Sequence, residues 1–252
     1  MKILCIIPAR SGSKGIPNKN IKLFKGLPLL VHSINQAKCS KYYNSPKHNM
    51  KIFVSTDSKE YADIAKEYGA EVPFLRPEEI SKDESLDYEF ISHALVEYDN
   101  LGYNPDIIMQ LRPTQPCRKV EDINNSLDIF INNFNDYDSL RSVIPIEKSP
   151  FKMYVIEEDN NDKIMLNPLF NNVKYNNKNI KEPYNECRQY LPQAYLHNGY
   201  IDVLKASIVK NGTITGDNIY PYVMNKNDVI DIDTEEDWKK AESVKISNLV
   251  FV

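Results

Sequence analysis

The sequence predicts an α/β fold, a mostly parallel sheet layered between helices, with a small β-rich arm set into it. Three observations carry the prediction. Short apolar runs alternate with segments of helical spacing over roughly the first 148 residues. Polar and charged residues follow directly after each apolar run, where the carboxyl ends of parallel strands would form a ligand-binding edge. The alternation breaks between about residues 149 and 191, a stretch rich in Asn, Tyr, Lys and Pro, and then resumes. A chain of 252 residues, 42% hydrophobic and 26% charged, suits one large domain with an appendage and excludes global disorder.

The elements follow in order. Ile3–Ile7 is a buried strand that stops at Pro8. Leu29 to Ala37 has helical spacing, with Leu30, Ile34 and Ala37 on one face. Lys51 to Asp57 is a second buried strand. Ser58 to Tyr68 is a helix that opens on an N-cap residue and has Gly69 placed to end it. Glu71 to Leu75 is a short extended piece. Ser85 to Tyr98 is a helix, Asp106 to Leu111 a strand, Val120 to Phe130 a helix, and Asp138 to Ile146 begins a strand. In the irregular stretch two readings stand, a disordered insertion or a small β-rich arm that packs on a second copy. Phe151, Met153, Tyr154, Val155, Ile164 and Leu169 favour the arm. Beyond it, Gly199–Val203 and Val229–Asp233 read as strands and Glu235 to Val244 as a final helix. Doubled asparagines such as Asn176-Asn177 read as a composition bias without function.

Composition excludes several function classes. A net charge of −4 argues against a nucleic-acid binder. Cys5, Cys39, Cys117 and Cys187 form no C-x-x-C, so zinc and redox motifs are absent and reduced thiols in a cytoplasm are expected. The first residues do not make a signal peptide, because Pro8 and Arg10 break a short apolar run. No apolar stretch approaches the roughly 20 residues of a membrane span. The four histidines have no ligand spacing.

The chemistry concentrates after the first strand. Arg10, Lys14 and Lys19 bring three cations, Ser11 and Ser13 two hydroxyls, and Gly12 and Gly15 two glycines. Glycine lets backbone N–H groups approach an anion closely, and the cations offset its charge. This loop therefore suits a polyphosphate. It matches neither the G-x-x-x-x-G-K-[ST] phosphate loop nor the G-x-G-x-x-G dinucleotide turn.

Ile7-Pro-Ala-Arg-Ser-Gly-Ser-Lys-Gly-Ile-Pro-Asn-Lys-Asn20 resembles the signature of the acylneuraminate cytidylyltransferases, enzymes that make CMP-sialic acid and related CMP-nonulosonates. Val54-Ser-Thr-Asp57, Phe74-Leu-Arg-Pro77, Leu111-Arg-Pro-Thr-Gln-Pro-Cys-Arg118, Arg188 to Gly199 and Asp231-Ile-Asp233 agree in order, so the resemblance spans nearly the whole chain. The related Kdo cytidylyltransferases have a shorter opening loop and fit less well. The resemblance implies a Rossmann-like three-layer nucleotidyltransferase domain over residues 1–148 and 192–252, with residues 149–191 as a dimerisation insertion in a homodimer. It implies that Arg10, Ser13, Lys14 and Lys19 hold the triphosphate of CTP, that Asn20 and Arg76 lie near the nucleoside or its phosphate, and that Asp231 and Asp233 bind Mg²⁺. Lys19, Arg10 and Asp233 would carry catalysis. Two carboxylates alternating on a strand share a face, and Mg²⁺ takes one or two carboxylates beside phosphate oxygens. Solvated carboxylates, or Asp233 as a helix cap, are the competing readings.

For the sugar acid, Arg112 and Arg118 flank Pro113-Thr114, and Arg binds carboxylates bidentately. Arg112 and Thr114, with Gln193 and Asn198 from the Arg188 to Gly199 segment, are the sugar-side candidates. Most sialic-acid-activating relatives carry Gln where this chain has Arg112, which leaves the sugar open. Asp57 reads equally as a metal or sugar contact and as a turn residue. The expected reaction moves CMP from CTP to the anomeric hydroxyl of a nonulosonic acid and releases pyrophosphate, with no side-chain general base evident. The alternatives are a nucleotide-sugar glycosyltransferase, which also uses an Asp-x-Asp metal site, and a non-catalytic nucleotide-sugar sensor.

Overall fold

The computed structural model describes residues 1–160 and 162–243. In chain order its elements are β1 (Lys2–Pro8), β2 (Leu23–Phe24), β3 (Leu27–Pro28), α1 (Leu29–Lys38), β4 (Asn49–Ser55), α2 (Lys59–Glu67), α3 (Asp87–Asn100), β5 (Ile107–Gln110) and α4 (Val120–Asn132). They continue as β6 (Ser139–Pro145), β7 (Tyr154–Glu158), β8 (Ile164–Pro168), β9 (Val173–Tyr175), β10 (Lys178–Ile180), β11 (Tyr195–Lys205), α5 (Ala206–Val209), β12 (Ile219–Val223) and α6 (Glu235–Glu242). The chain divides into two compact units, residues 1–142 with 198–252, and residues 143–197.

The central sheet has six strands in the order β12-β6-β11-β5-β1-β4. β1 pairs in parallel with β4 on one side and β5 on the other. Such a strand is covered on both faces and reads as a continuous apolar run rather than an alternating one. Ile3, Leu4, Cys5, Ile6 and Ile7 are accordingly all fully buried. Burial also pushes the Cys5 thiol up to about 12, so it stays protonated and inert. The α/β class and the parallel centre hold as expected. β11 joins β5 antiparallel, which makes the sheet mixed.

Local chemistry explains the helix boundaries. The Ser58 hydroxyl accepts from the Tyr61 N–H and caps α2. At its other end Gly69 takes φ +85°, Gly69 N donates to Lys66 O, and Ala70 N donates to Ala65 O. These two bonds satisfy carbonyls that the helix end leaves open. α3 begins two residues later than the sequence suggests, because the Glu89 carboxylate reaches back to the Leu86 N–H at 2.6 Å and sets the first turn there. Thr234 caps α6 and forms a reciprocal box with Asp237, so Asp233 is not the cap. Val244, the expected end of that helix, lies outside the described residues.

Two expectations are corrected. Residues 229–233 form no strand. Ile232 is fully buried against Ile16, Phe24 and Trp238, and its N–H donates to Thr114 O at 2.9 Å. One anchored apolar residue between two aspartates imitates a strand period without a ladder. Conversely, β12 was not anticipated, since Pro221 interrupts its pattern. It is an edge strand, where a missing N–H costs no ladder bond.

The second unit holds two hairpins, β7–β8 and β9–β10. Asn176 and Asn177 have φ 48° and 61° and close the second in a two-residue turn. The doubled asparagine is thus structural, since Asn tolerates the left-handed region better than most residues. In β7–β8, Ile156 stands opposite Leu166 and Glu158 opposite Ile164. Ile156, Ile164 and Leu166 thus share one face, at 75%, 71% and 62% exposure.

Gly69→Ala forces a side chain into the left-handed region, which costs roughly 1–2 kcal/mol. Urea denaturation of the variant should show a loss of that size, and an unchanged midpoint would contradict the proposed helix stop.

Candidate active site

The loop after β1 is built by contacts that aim its cations into one place. Ala9 N donates to Ser55 O, which holds the loop start beside β4. The Asp57 carboxylate, at the carboxyl end of β4, accepts from Ser11 N at 2.8 Å and Ser11 Oγ at 2.6 Å. Asp57 is therefore the residue that pins the loop. Asn20 is buried, and its amide donates to Arg10 O at 3.0 Å. Of the two glycines, Gly15 is the one that geometry demands, since a Cβ there would overlap the Asp233 carbonyl oxygen.

That close approach joins the loop to the segment before α6. Lys19 Nζ donates to Ile232 O at 2.8 Å and to Asp233 Oδ1 at 2.9 Å. Its side chain is only 12% exposed, so the ammonium is fixed rather than waving in solvent. Asp231 is close by, with the Thr114 hydroxyl as a partner. Crowding by the protein, then the charge of Asp233, raises the Asp231 carboxyl above its ordinary value against the pull of Thr114 and Lys19. The two carboxylates thus feel each other and Lys19 at once. Among the described residues no group of three or more His, Cys, Asp or Glu could hold a metal ion. A pair of carboxylates still suits Mg²⁺ when phosphate and water complete its shell.

A cleft of about 490 Å³ opens at the carboxyl ends of the parallel strands, and Asp231 is not in its wall. Arg10, Ser13, Lys14, Lys19, Asn20, Arg76, Arg112, Thr114 and Asp233 are all in its walls. Six lining residues are cationic, Arg10, Lys14, Lys19, Arg76, Lys82 and Arg112, against three carboxylates, Asp83, Asp87 and Asp233. The excess favours a polyanionic ligand. Arg76 is 6% exposed, bonds Ser55 through Nε and Nη2, and stacks on the Phe90 ring. Burial draws its guanidinium down to about 10, opposed by Asp57 and Asp87, so it remains cationic at neutral pH.

Arg112 enters the cleft already paired, with Asp87 at 2.5 Å and Asp202 at 2.8 Å. Asp87 also accepts from Gln110, so the start of α3 and the end of β5 are tied together. Arg118 is not available to a ligand. It is fully buried and donates to Tyr200 O, Gln36 Oε1 and Arg112 O, where it braces the 112–118 turn. The Asn198 Oδ1 accepts from Ser142 and from Tyr200 N, and the residue is not in the cleft wall. Gln193 belongs to the second unit, where its amide donates to the Ile146 and Ala194 carbonyls.

Lys82, Asp83, Ser85, Asp87 and Phe90 were not anticipated as site residues. The only sequence signal is a polar run just before α3. Asp83 has the most conspicuous position, with one oxygen on Arg10 and the other on Lys14. Lys14 first, then Arg10, holds its carboxyl below the ordinary range.

Residues 4–194 match the cytidylyltransferase family model. The chain is 33% identical over 247 residues to the CMP-N,N'-diacetyllegionaminic acid synthase of Legionella pneumophila, covering 97% of this chain and 96% of that one. It is 30% identical to the N-acylneuraminate cytidylyltransferase of Streptococcus agalactiae, over 94% of this chain and 52% of that longer protein. A solved CMP:2-keto-3-deoxy-manno-octonic acid synthetase, in complex with CTP, superposes with TM-score 0.66 at 14% identity, over 96% of this chain and 98% of that one, which establishes a shared fold. A strand-end cleft rich in cations, on a chain matched by that family model over most of its length, makes this protein a member of the cytidylyltransferase family.

Proposed function

We propose that the protein transfers CMP from CTP to the anomeric hydroxyl of a nonulosonic, sialic-type acid and releases pyrophosphate. The observation that carries the reading is the joining of Lys19 to Asp233 in a cleft lined by Arg10, Lys14 and Arg76. A nucleoside triphosphate brings roughly four negative charges, which such a cleft can balance. The sugar class follows from the relatives named for legionaminic and N-acylneuraminic acids. Four free thiols fit a reducing cytoplasm as the place of work.

The sugar hydroxyl oxygen attacks the α-phosphorus in line, the new P–O bond forms as the hydroxyl proton passes to water, and the bond to the β-phosphate oxygen breaks with its electron pair leaving on pyrophosphate. Lys19, fixed by two acceptors, stabilises charge at the α-phosphate. Arg10, Ser13 and Lys14 hold the departing pyrophosphate, while Asn20 and Arg76 shape the nucleoside side. Arg112 and Thr114 face the sugar. Asp231 and Asp233 would hold Mg²⁺, which supplies charge neutralisation on the phosphate and lowers the pKa of a bound hydroxyl.

We also propose a homodimer in which a second copy covers the apolar face of the β7–β8 hairpin. Ile156, Ile164 and Leu166 lie side by side on that face, and contiguous exposed apolar surface of this kind marks an interaction site.

The reaction is tested by pyrophosphate release over a grid of the four nucleoside triphosphates and several nonulosonic acids. Release should require CTP, a sugar acid and a divalent cation. Lys19→Ala and Asp233→Ala should fold normally and turn over at least about a hundredfold more slowly. Near-wild-type rates in either variant would sink the assignment, and a glycosyltransferase would release no pyrophosphate from CTP. For the dimer, sedimentation equilibrium should show wild-type protein at twice the chain mass and the Ile156→Asp/Leu166→Asp variant at the chain mass. Equal masses would refute the interface.

A further inference from the structure

We propose that Asp83 is an internal competitor for pyrophosphate: its carboxylate occupies Arg10 and Lys14 when the nucleotide is absent, and so weakens the hold on CTP and on the released pyrophosphate. The inference rests on the triphosphate reading of the cleft.

The geometry is that of a stand-in anion. Asp83 Oδ1 accepts from Arg10 Nη2 at 2.5 Å, and Oδ2 faces Lys14 Nζ. A carboxylate with one oxygen on each cation offers the charge and acceptor pattern of two phosphate oxygens. All three side chains belong to the cleft wall, so a polyphosphate reaching these cations must displace Asp83.

The exchange is open to solvent. The side chains of Arg10, Asp83 and Lys14 are 29%, 33% and 80% exposed. Asp83 sits in a short turn closed on itself, by Lys82 N to Ser85 Oγ at 3.0 Å and Ser85 N to Lys82 O at 3.3 Å. Breaking the pair therefore unfolds nothing. A ligand that needs both cations loses apparent affinity by the factor that favours the paired state. For exposed ion pairs this factor is about two- to fivefold. CMP, whose single phosphate sits at Lys19 in the proposed reaction, does not meet the competitor. Asp83 would thus speed the exit of the leaving group at the expense of substrate affinity.

Titration calorimetry in Mg²⁺ on wild type, Asp83→Asn and Glu84→Gln tests this, with pyrophosphate, CTP and CMP as probes. Asp83→Asn should bind pyrophosphate and CTP about two- to fivefold more tightly and leave CMP unchanged. Glu84 is exposed and outside the cleft wall, so Glu84→Gln should match wild type for all three probes. Unchanged or weaker pyrophosphate binding in Asp83→Asn would overturn the proposal, because Asp83 would then be ordering the cations. An equal gain in Glu84→Gln, or an equal gain for CMP, would also overturn it by reducing the effect to net charge. Wild-type protein that binds neither CTP nor pyrophosphate would overturn the triphosphate reading itself.

Discussion

Lys19 donates to a backbone carbonyl and a carboxylate 213 and 214 residues further along the chain, and the functional cleft depends on that junction. The ion pair itself stabilises little. Asp233 is 69% exposed at its side chain, and a pair so open to solvent contributes roughly 0–1 kcal/mol. Its consequence is positional. The ammonium is held beside Asp233 instead of sampling its rotamers, and Gly15 lets the loop backbone come up against the Asp233 carbonyl. A cation and a carboxylate from opposite ends of the chain thereby become one binding surface.

The rest of the fold serves that junction. The parallel β4-β1-β5 centre sends its chain ends to one edge, so Asp57, Arg10 and Arg112 emerge side by side. Asp57 then pins Ser11, and Asn20 pins the Arg10 carbonyl. Ile232 fixes the other half by burial in the cluster under Trp238, and its bond to Thr114 connects it to the turn that Arg118 braces. Lys19 is paired with Asp233, and Arg10 and Lys14 are paired with Asp83. An incoming polyanion therefore exchanges partners instead of filling an uncompensated positive site.

Much of this was legible in the sequence, for identifiable reasons. Strands covered on both faces leave continuous apolar runs, so β1, β4 and β5 could be read directly. Ser58 and Gly69 marked the ends of α2 because capping is local chemistry. The chemical character of the opening loop was legible because three cations and two glycines in so short a span serve few other purposes. What was not legible depends on distant partners. Asp83 gains its place from Arg10, 73 residues away, and nothing near it in sequence announces that. Arg112 and Arg118 look alike in the sequence, yet one lines the cleft and the other is fully buried. The aspartate pair is legible mainly through the family resemblance, and its local structure is not, since burial of Ile232 alone reproduces the alternation of a strand.

The most direct test of the junction compares alanine at the two loop glycines by CTP-dependent pyrophosphate release. At Gly12 an added Cβ meets only the Arg10 guanidinium at 3.2 Å, the far end of a flexible side chain, whereas at Gly15 it strikes the Asp233 backbone. The account predicts that Gly12→Ala stays within a few-fold of wild type and that Gly15→Ala falls by roughly a hundredfold, as expected for a displacement of about 1 Å in a catalytic group. Wild-type release from Gly15→Ala would contradict it.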